Sequence, residues 1–161
     1  MSGAPPRLEF GDLAEGDILP LLRHDVTATT VVLGAVASRD WRPMHHDKAF
    51  AIERNGTKDI FLNTPNQAAW FERYLTDWTG PHGRLGRMSV QMRDSVFPGD
   101  TMTFEGVVQQ LEIDDVGCGW VGVGITLAVE GAVKSSCTAR IAVPVDDSDN
   151  PWRRARHEWK P

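Results

Sequence analysis

The sequence predicts a single α+β domain in which a curved antiparallel sheet wraps around one central helix. Two observations carry this expectation. One helix is strongly marked at 65–78, and from Met88 to Val143 the pattern switches to period-two alternation in four successive segments. The sheet needs a cover for its apolar face, and the 65–78 helix is the only strong candidate. The chain has 161 residues and 41% hydrophobic content, enough for one domain with a real core.

The first 16 residues are rich in Gly and Pro and read as irregular, 17–145 as the domain, and 146–161 as a C-terminal tail. Residues 17–23 hold Ile18, Leu19, Leu21 and Leu22 and read as a short edge strand, because Pro20 suits an edge better than a sheet centre. Residues 27–37 carry two signals. Thr29, Thr30, Val31 and Val32 favour a strand, whereas Val32, Ala35 and Val36 form a helical face with Thr27 as a cap.

The central helix is expected over 65–78, or about 64–78 with its cap. Thr64 is read as N-cap, Pro65 as the first helical residue and Gln67 as the partner of a capping box. Phe71, Tyr74, Leu75 and Trp78 supply the apolar stripe, and Gly80-Pro81 ends the helix. Met88, Val90, Met92 and Val96 then alternate with polar residues in a first long strand. Pro98-Gly99-Asp100 is a turn. A second strand runs over 101–113 with a bulge expected near Gly106. Val121, Val123, Ile125, Leu127 and Val129 form a third strand, Glu130-Gly131 a hairpin turn, and 133–143 a fourth strand. The acidic stretch 144–150 reads as a loop, and the Trp- and Arg-rich end from Trp152 as a mobile terminus or a partner-docking segment. A sheet wrapped around one helix in this element order is the hotdog fold.

Net charge is −5 and no Lys/Arg block lies in the body, which argues against nucleic acid as the main ligand. A few arginines still suffice for a local anion. Cys118 and Cys137 have no CxxC or Cys/His metal spacing and are not directly opposite in the expected hairpin, so free buried thiols are expected. The first nine residues lack an apolar signal region and no apolar run reaches membrane-spanning length. These features together predict a cytoplasmic protein with no membrane partner.

The segment Asp40-Trp41-Arg42-Pro43-Met44-His45 sets a carboxylate and an imidazole five positions apart around a proline. Proline fixes its own φ and drives Arg42 out of the helical region, so the bent segment can turn both side chains toward one cavity. Such a pair converging on one water is an acid/base pair. Taken alone, the spacing describes a turn-capping Asp and an exposed loop His at least as well. His46 reads as structural or solvent-facing, and Asp47 as the cap of a helical turn over 48–53. A rival reading takes His45 and Asp47 as two thirds of an iron triad, with His24, His82 or His157 as third ligand. Such triads sit in jelly-roll barrels with more strands than this chain has, so no metal is expected.

Several motifs in order decide between these readings. They are Asp40-Trp41, His45-His46-Asp47, Gly56-Thr57-Lys58-Asp59-Ile60-Phe61-Leu62-Asn63 and Arg73-Tyr74-Leu75-Thr76-Asp77-Trp78-Thr79-Gly80-Pro81, followed by the Val96-Phe97-Pro98-Gly99-Asp100 turn. Together they span about a third of the chain and resemble the MaoC-like (hydratase-2) enoyl-CoA hydratases. Within that family they look like the small MaoC-like subunit of actinobacterial steroid side-chain enoyl-CoA hydratases. Two departures stand out: Arg42 where the family usually has Asn, and Asn63-Thr64 where many relatives have His-Gly. The first bears on substrate fit, the second on the oxyanion donor.

The resemblance implies a hotdog fold and a helix over 27–37. It implies hydration of a trans-2-enoyl-CoA, here a bulky steroid side-chain thioester, to an (R)-3-hydroxyacyl-CoA. Asp40 would accept a proton from water that His45 also holds. Backbone N–H groups at the helix start would stabilise the thioester oxygen. Pro65 has none, so Asn63, Thr64, Asn66 and Gln67 are the oxyanion and substrate-binding candidates, with Arg42 beside them. Arg84, Arg87 and Arg93 are candidates for the CoA phosphates, with solvated surface charge as their alternative role. Met88 and Met92 are candidates for an acyl pocket, with core filling as theirs. No cofactor is expected, since coenzyme A is part of the substrate. The implied partner is a larger MaoC-like subunit, with a homodimer as the other arrangement. Two other activities stay open: a non-catalytic hotdog acyl-CoA-binding subunit of a hydratase complex, and a hotdog thioesterase.

Overall fold

The computed structural model describes residues 7–161. Five antiparallel strands form one sheet in the order β1-β3-β4-β5-β2. They are β1 (Leu22–Asp25), β2 (Arg84–Met92), β3 (Thr101–Ile113), β4 (Gly119–Val129) and β5 (Ala132–Val143). Helices α1 (Ala28–Ala37), α2 (Lys48–Glu53) and α3 (Thr64–Thr79) lie between β1 and β2 in sequence. The sheet wraps around α3, which is the hotdog arrangement. No helix among the described residues is long and apolar enough to cross a membrane.

The β3–β4–β5 meander follows the alternation in the sequence. Glu130 and Gly131 both have positive φ, 50° and 79°, as a two-residue turn between Val129 and Ala132 requires. The bulge in β3 lies between Val108 and Gln110 rather than at Gly106. Gly106 serves close approach instead, since a Cβ there would meet Leu19 and Tyr74 side chains at 3.0 Å. The edge strand β1 starts later than expected, at Leu22. Pro20 cannot donate to a ladder, and before it Ile18 makes only a single bridge to Val107.

Thr27 caps α1 through a reciprocal exchange with Thr30, which overrides the strand propensity of its first turn. Its buried residues are Val31 and Ala35, while Val36 faces outward, so the expected face was rotated by one residue. The start of α3 is also shifted. Asn63, not Thr64, is the N-cap, and its side chain accepts from Asn66 N–H. Gln67 forms no capping box and turns inward to accept from Ser135 Oγ at 3.1 Å. Phe71, Tyr74 and Leu75 bury the core face of α3. Phe104 of β3 packs among them, 5.3 Å from Phe71 edge-on and 5.9 Å from Tyr74. Each such aromatic or leucine removed from water stabilises the fold by roughly 1.5–3 kcal/mol.

Strand β2 begins at Arg84 and ends at Met92, and beyond it the N–H groups of Arg93 and Asp94 both turn onto the Lys134 carbonyl of β5. The C-terminal segment is not a mobile terminus. Trp159 packs on Trp120 at 4.8 Å, and the Arg84 guanidinium lies 3.7 Å from the Trp159 ring. Arg154 donates to the carbonyls of Val116 and Gly117, and Trp152 Nε1 to that of Gly83. Cys118 and Cys137 are buried and free.

Candidate active site

The end of α1 delivers Asp40. The N–H of Arg39 closes on Val36 O at 3.0 Å and that of Asp40 on Ala35 O at 2.9 Å, a two-bond Schellman closure. Its left-handed position is filled by Arg39, with φ 53°, where Gly is usual. Arg42 is then extended, as a residue before proline must be, and Pro43–His45 makes one 3-10 turn that buries the His45 ring.

The imidazole is fixed at its Nδ1 end. His45 Nδ1 lies 2.8 Å from Phe61 O. A carbonyl only accepts, so Nδ1 carries the proton and the other nitrogen of the neutral ring presents a lone pair. That nitrogen, Nε2, faces Asp40 Oδ2 at 3.5 Å. At this separation one water standing to the side of the pair can contact both atoms. The carboxylate is held as firmly. Asn63 Nδ2 donates to Oδ2 at 3.1 Å, while Arg42 N–H donates to Oδ1 at 3.3 Å and Arg42 Nε lies 3.3 Å from it. The amide of Asn63 is the largest influence keeping Asp40 below the usual carboxylate range. Partial burial opposes it, and the Arg42 N–H and guanidinium charge assist, joined by the His45 ring only when that ring is protonated.

Both groups open onto a cavity of about 950 Å³. Of the residues expected from sequence, Asp40, Arg42, His45, Asn63, Thr64, Gln67 and Arg93 line it. Three do not. Asn66 donates to Thr30 O, tying α3 to α1, and a Cβ on Gly34 would overlap its side chain. Arg84 donates to Pro151 O and Arg87 to Pro161 O, so both belong to the docked tail. Met92 lines the cavity, whereas Met88 packs against the core.

The α3 start carries few free donors. Gln67 N–H bonds to Asn63 O and Asn66 N–H to the Asn63 side chain. Thr64 N–H meets no acceptor among the described residues and stands at the cavity wall. The His45/Asp47 metal pair is split, because Asp47 Oδ1 caps α2 through Phe50 N–H, and His46 is exposed. Among the described residues no group of three His, Cys, Asp or Glu side chains gathers to hold a metal ion. Sequence reading missed Ser38, whose Oγ accepts from Asn63 at 2.8 Å, and the Phe61 carbonyl. A backbone carbonyl leaves no sequence signal at all.

A hotdog domain with an Asp/His pair at the start of its central helix defines the class of hotdog hydratases. No family model matches the chain. It is 32% identical over 126 residues to the 3-oxo-4,17-pregnadiene-20-carboxyl-CoA hydratase beta subunit of Mycobacterium tuberculosis, covering 75% of this chain and 97% of that one. The chain belongs to the MaoC-like hydratase family, in company with that steroid side-chain hydratase subunit. Among solved structures, the ChsH1–ChsH2 complex of M. tuberculosis matches with TM-score 0.73 and 28% identity, covering 81% of this chain and 98% of that one. The (R)-hydratase of A. caviae involved in PHA biosynthesis matches with TM-score 0.71 over 82% of this chain and 98% of that one; at 24% identity this likeness concerns the fold.

Proposed function

We propose that this chain is the catalytic subunit of an enoyl-CoA hydratase acting on a bulky, steroid-type trans-2-enoyl thioester. The observation that carries the reading is the 3.5 Å gap between Asp40 Oδ2 and His45 Nε2, two acceptors with fixed orientation at the wall of a large cavity. A water on the cavity side of the pair, at ordinary hydrogen-bond distance from both atoms, donates one hydrogen to each. Asp40 takes a proton as the water oxygen bonds C3, and electron density moves through C2 to the thioester oxygen. Thr64 N–H and the positive end of α3 stabilise that oxygen. The proton then passes to C2, so the water is added whole and Asp40 is regenerated. Asp40 is suited to the base role because its surroundings keep it ionised.

The proposed partner is a second, larger hotdog subunit. Strand β2 is an edge strand, and the residues that follow it, Arg93 to Ser95, line the cavity. A chain paired along β2 would therefore abut the cavity and complete its wall. The ChsH1–ChsH2 complex, a heteromer by its name, favours this arrangement over a homodimer. Arg93 is the remaining cation for the CoA phosphates.

The test is purification with and without a co-expressed larger MaoC-like subunit, followed by hydration assays on short, medium and steroid enoyl-CoA. Hydration of the steroid thioester by the pair, and weak or no activity from the chain alone, supports the proposal. A stable, fully active homodimer refutes the heteromer. No hydration under either condition, with acyl-CoA still bound, refutes the catalytic role in favour of a binding subunit.

A further inference from the structure

We propose that Asn63 is a positioning residue that locks the Asp40 carboxylate to the capped start of α3, so that base and oxyanion donor are held in one fixed relation. The inference rests on the hydratase reading above. Asn63 is only 2% exposed, and both polar atoms of its side chain and its carbonyl oxygen are engaged. Its Nδ2 donates to Asp40 Oδ2 at 3.1 Å and to Ser38 Oγ at 2.8 Å. Its Oδ1 accepts from Asn66 N–H at 3.2 Å, and its backbone carbonyl accepts from Gln67 N–H at 3.1 Å.

The amide cannot be reversed. Turning it would set a carbonyl oxygen against a carboxylate and an NH2 group against an N–H donor, leaving two buried mismatches. Ser38 supports the orientation, because its hydroxyl donates to Gly34 O at 2.8 Å and so presents a lone pair to Asn63. The carboxylate plane is fixed by Asn63 on one oxygen and Arg42 on the other. The oxyanion donor, Thr64 N–H, belongs to the very next residue. Base and donor are thus connected through one side chain and one peptide unit, a span that cannot stretch. Hydration needs such a relation, since water must reach C3 while the thioester oxygen two bonds beyond C2 meets its donor. An ångström of misplacement in such a site costs up to about 10²-fold in rate.

The variant Asn63→Ser separates the two duties of the residue. Serine is a good N-cap but too short to reach Asp40. In the complex with its partner subunit, N63S is expected to keep its circular dichroism spectrum and to lose roughly 10- to 100-fold in kcat with little change in KM. The acidic limb of its kcat–pH profile should move up, because the strongest donor to the carboxylate is gone. The other titratable and charged groups facing Asp40 are His45 and Arg42, with Arg39, Arg93 and Asp94 on the same cavity wall, and all are retained. A role in capping alone predicts unchanged kcat and an unmoved acidic limb, and that result overturns the proposal. If N63S does not fold, Asn63→Asp is measured instead. Its carboxyl crowds Asp40 and shares a proton with it, so the acidic limb should move up further than in N63S, and wild-type kcat with an unmoved limb would equally overturn the proposal. Wild-type protein that hydrates no enoyl-CoA refutes the hydratase reading itself, a result distinct from either.

Discussion

Replacing Asp40 with Asn isolates the chemistry of the site from its architecture. The substitution keeps size and shape, and the new side-chain carbonyl can still accept from Asn63 Nδ2. What disappears is the proton acceptor, together with the Oδ1 that accepts from Arg42 N–H at 3.3 Å. Loss of general base assistance costs roughly 10²–10⁴-fold in rate, or about 3–5 kcal/mol of barrier. The structural cost is far smaller. The Arg42 side chain that pairs with Oδ1 is 71% exposed, and an ion pair of that kind contributes about 0–1 kcal/mol. Asp40→Asn should therefore lose at least about 10²-fold in kcat on enoyl-CoA with the partner present, while Tm moves by only a few degrees. The small stability loss has a defined pH dependence. The folded-state pKa of Asp40 is depressed, so its contribution is present above the unfolded carboxylate value and is lost as pH falls through the folded one. The Tm gap between wild type and D40N should close on acidification through that range. Turnover within tenfold of wild type at matched Tm would refute the assignment of Asp40 as base.

Arg39→Gly should raise Tm by about 2–4 °C, because Gly adopts the positive φ at the end of α1 without the roughly 1 kcal/mol penalty of a side chain; a lower Tm would contradict the strain. Trp159→Ala should cost about 2–3 kcal/mol in denaturant titration by removing the contacts to Trp120 and Arg84, with kcat unchanged because neither lines the cavity. Burial pushes the thiols of Cys118 and Cys137 up to about 11. An alkylating reagent at mildly alkaline pH should therefore leave both unlabelled in the folded protein and label both after unfolding, as mass spectrometry would read.

The parts legible in the sequence are those where local signals agree. The meander from β3 to β5 alternates cleanly, and α3 has an apolar stripe, a proline near its start and Gly80-Pro81 at its end. The bare Asp40/His45 spacing fitted a surface turn equally well, and it was the ordered motifs around it that singled the pair out; the structure brings the two side chains within 3.5 Å. The cap of α3 was misread by one residue because Asn63 and Thr64 are both good caps. Tertiary contact decides between them: only with Asn63 as cap can its amide also reach Asp40, which lies 23 positions away. Arg84 and Arg87 stood open between phosphate cations and surface charge for a similar reason. Their actual partners, Pro151 O and Pro161 O, are 67 and 74 positions distant and leave no local trace.

The site also depends on which helix ends meet there. Asp40 follows the C-terminal end of α1, where unpaired carbonyls would repel a carboxylate. Those carbonyls are already occupied. Ser38 N–H and Oγ–H both bond to Gly34 O, Asp40 N–H to Ala35 O, and Arg39 N–H to Val36 O. The N-terminal end of α3 is handled in the opposite way. Its donors reach the carboxylate through the polarised amide of Asn63, and the Thr64 N–H meets no acceptor among the described residues. Asp40 thus experiences the positive end of one helix and little of the negative end of the other. A carboxylate at a partly apolar cavity wall would otherwise rise in pKa and cease to be a base at neutral pH. The left-handed Arg39 is the geometric condition for this arrangement, since it lets the chain close the carbonyls of α1 and turn at once toward α3.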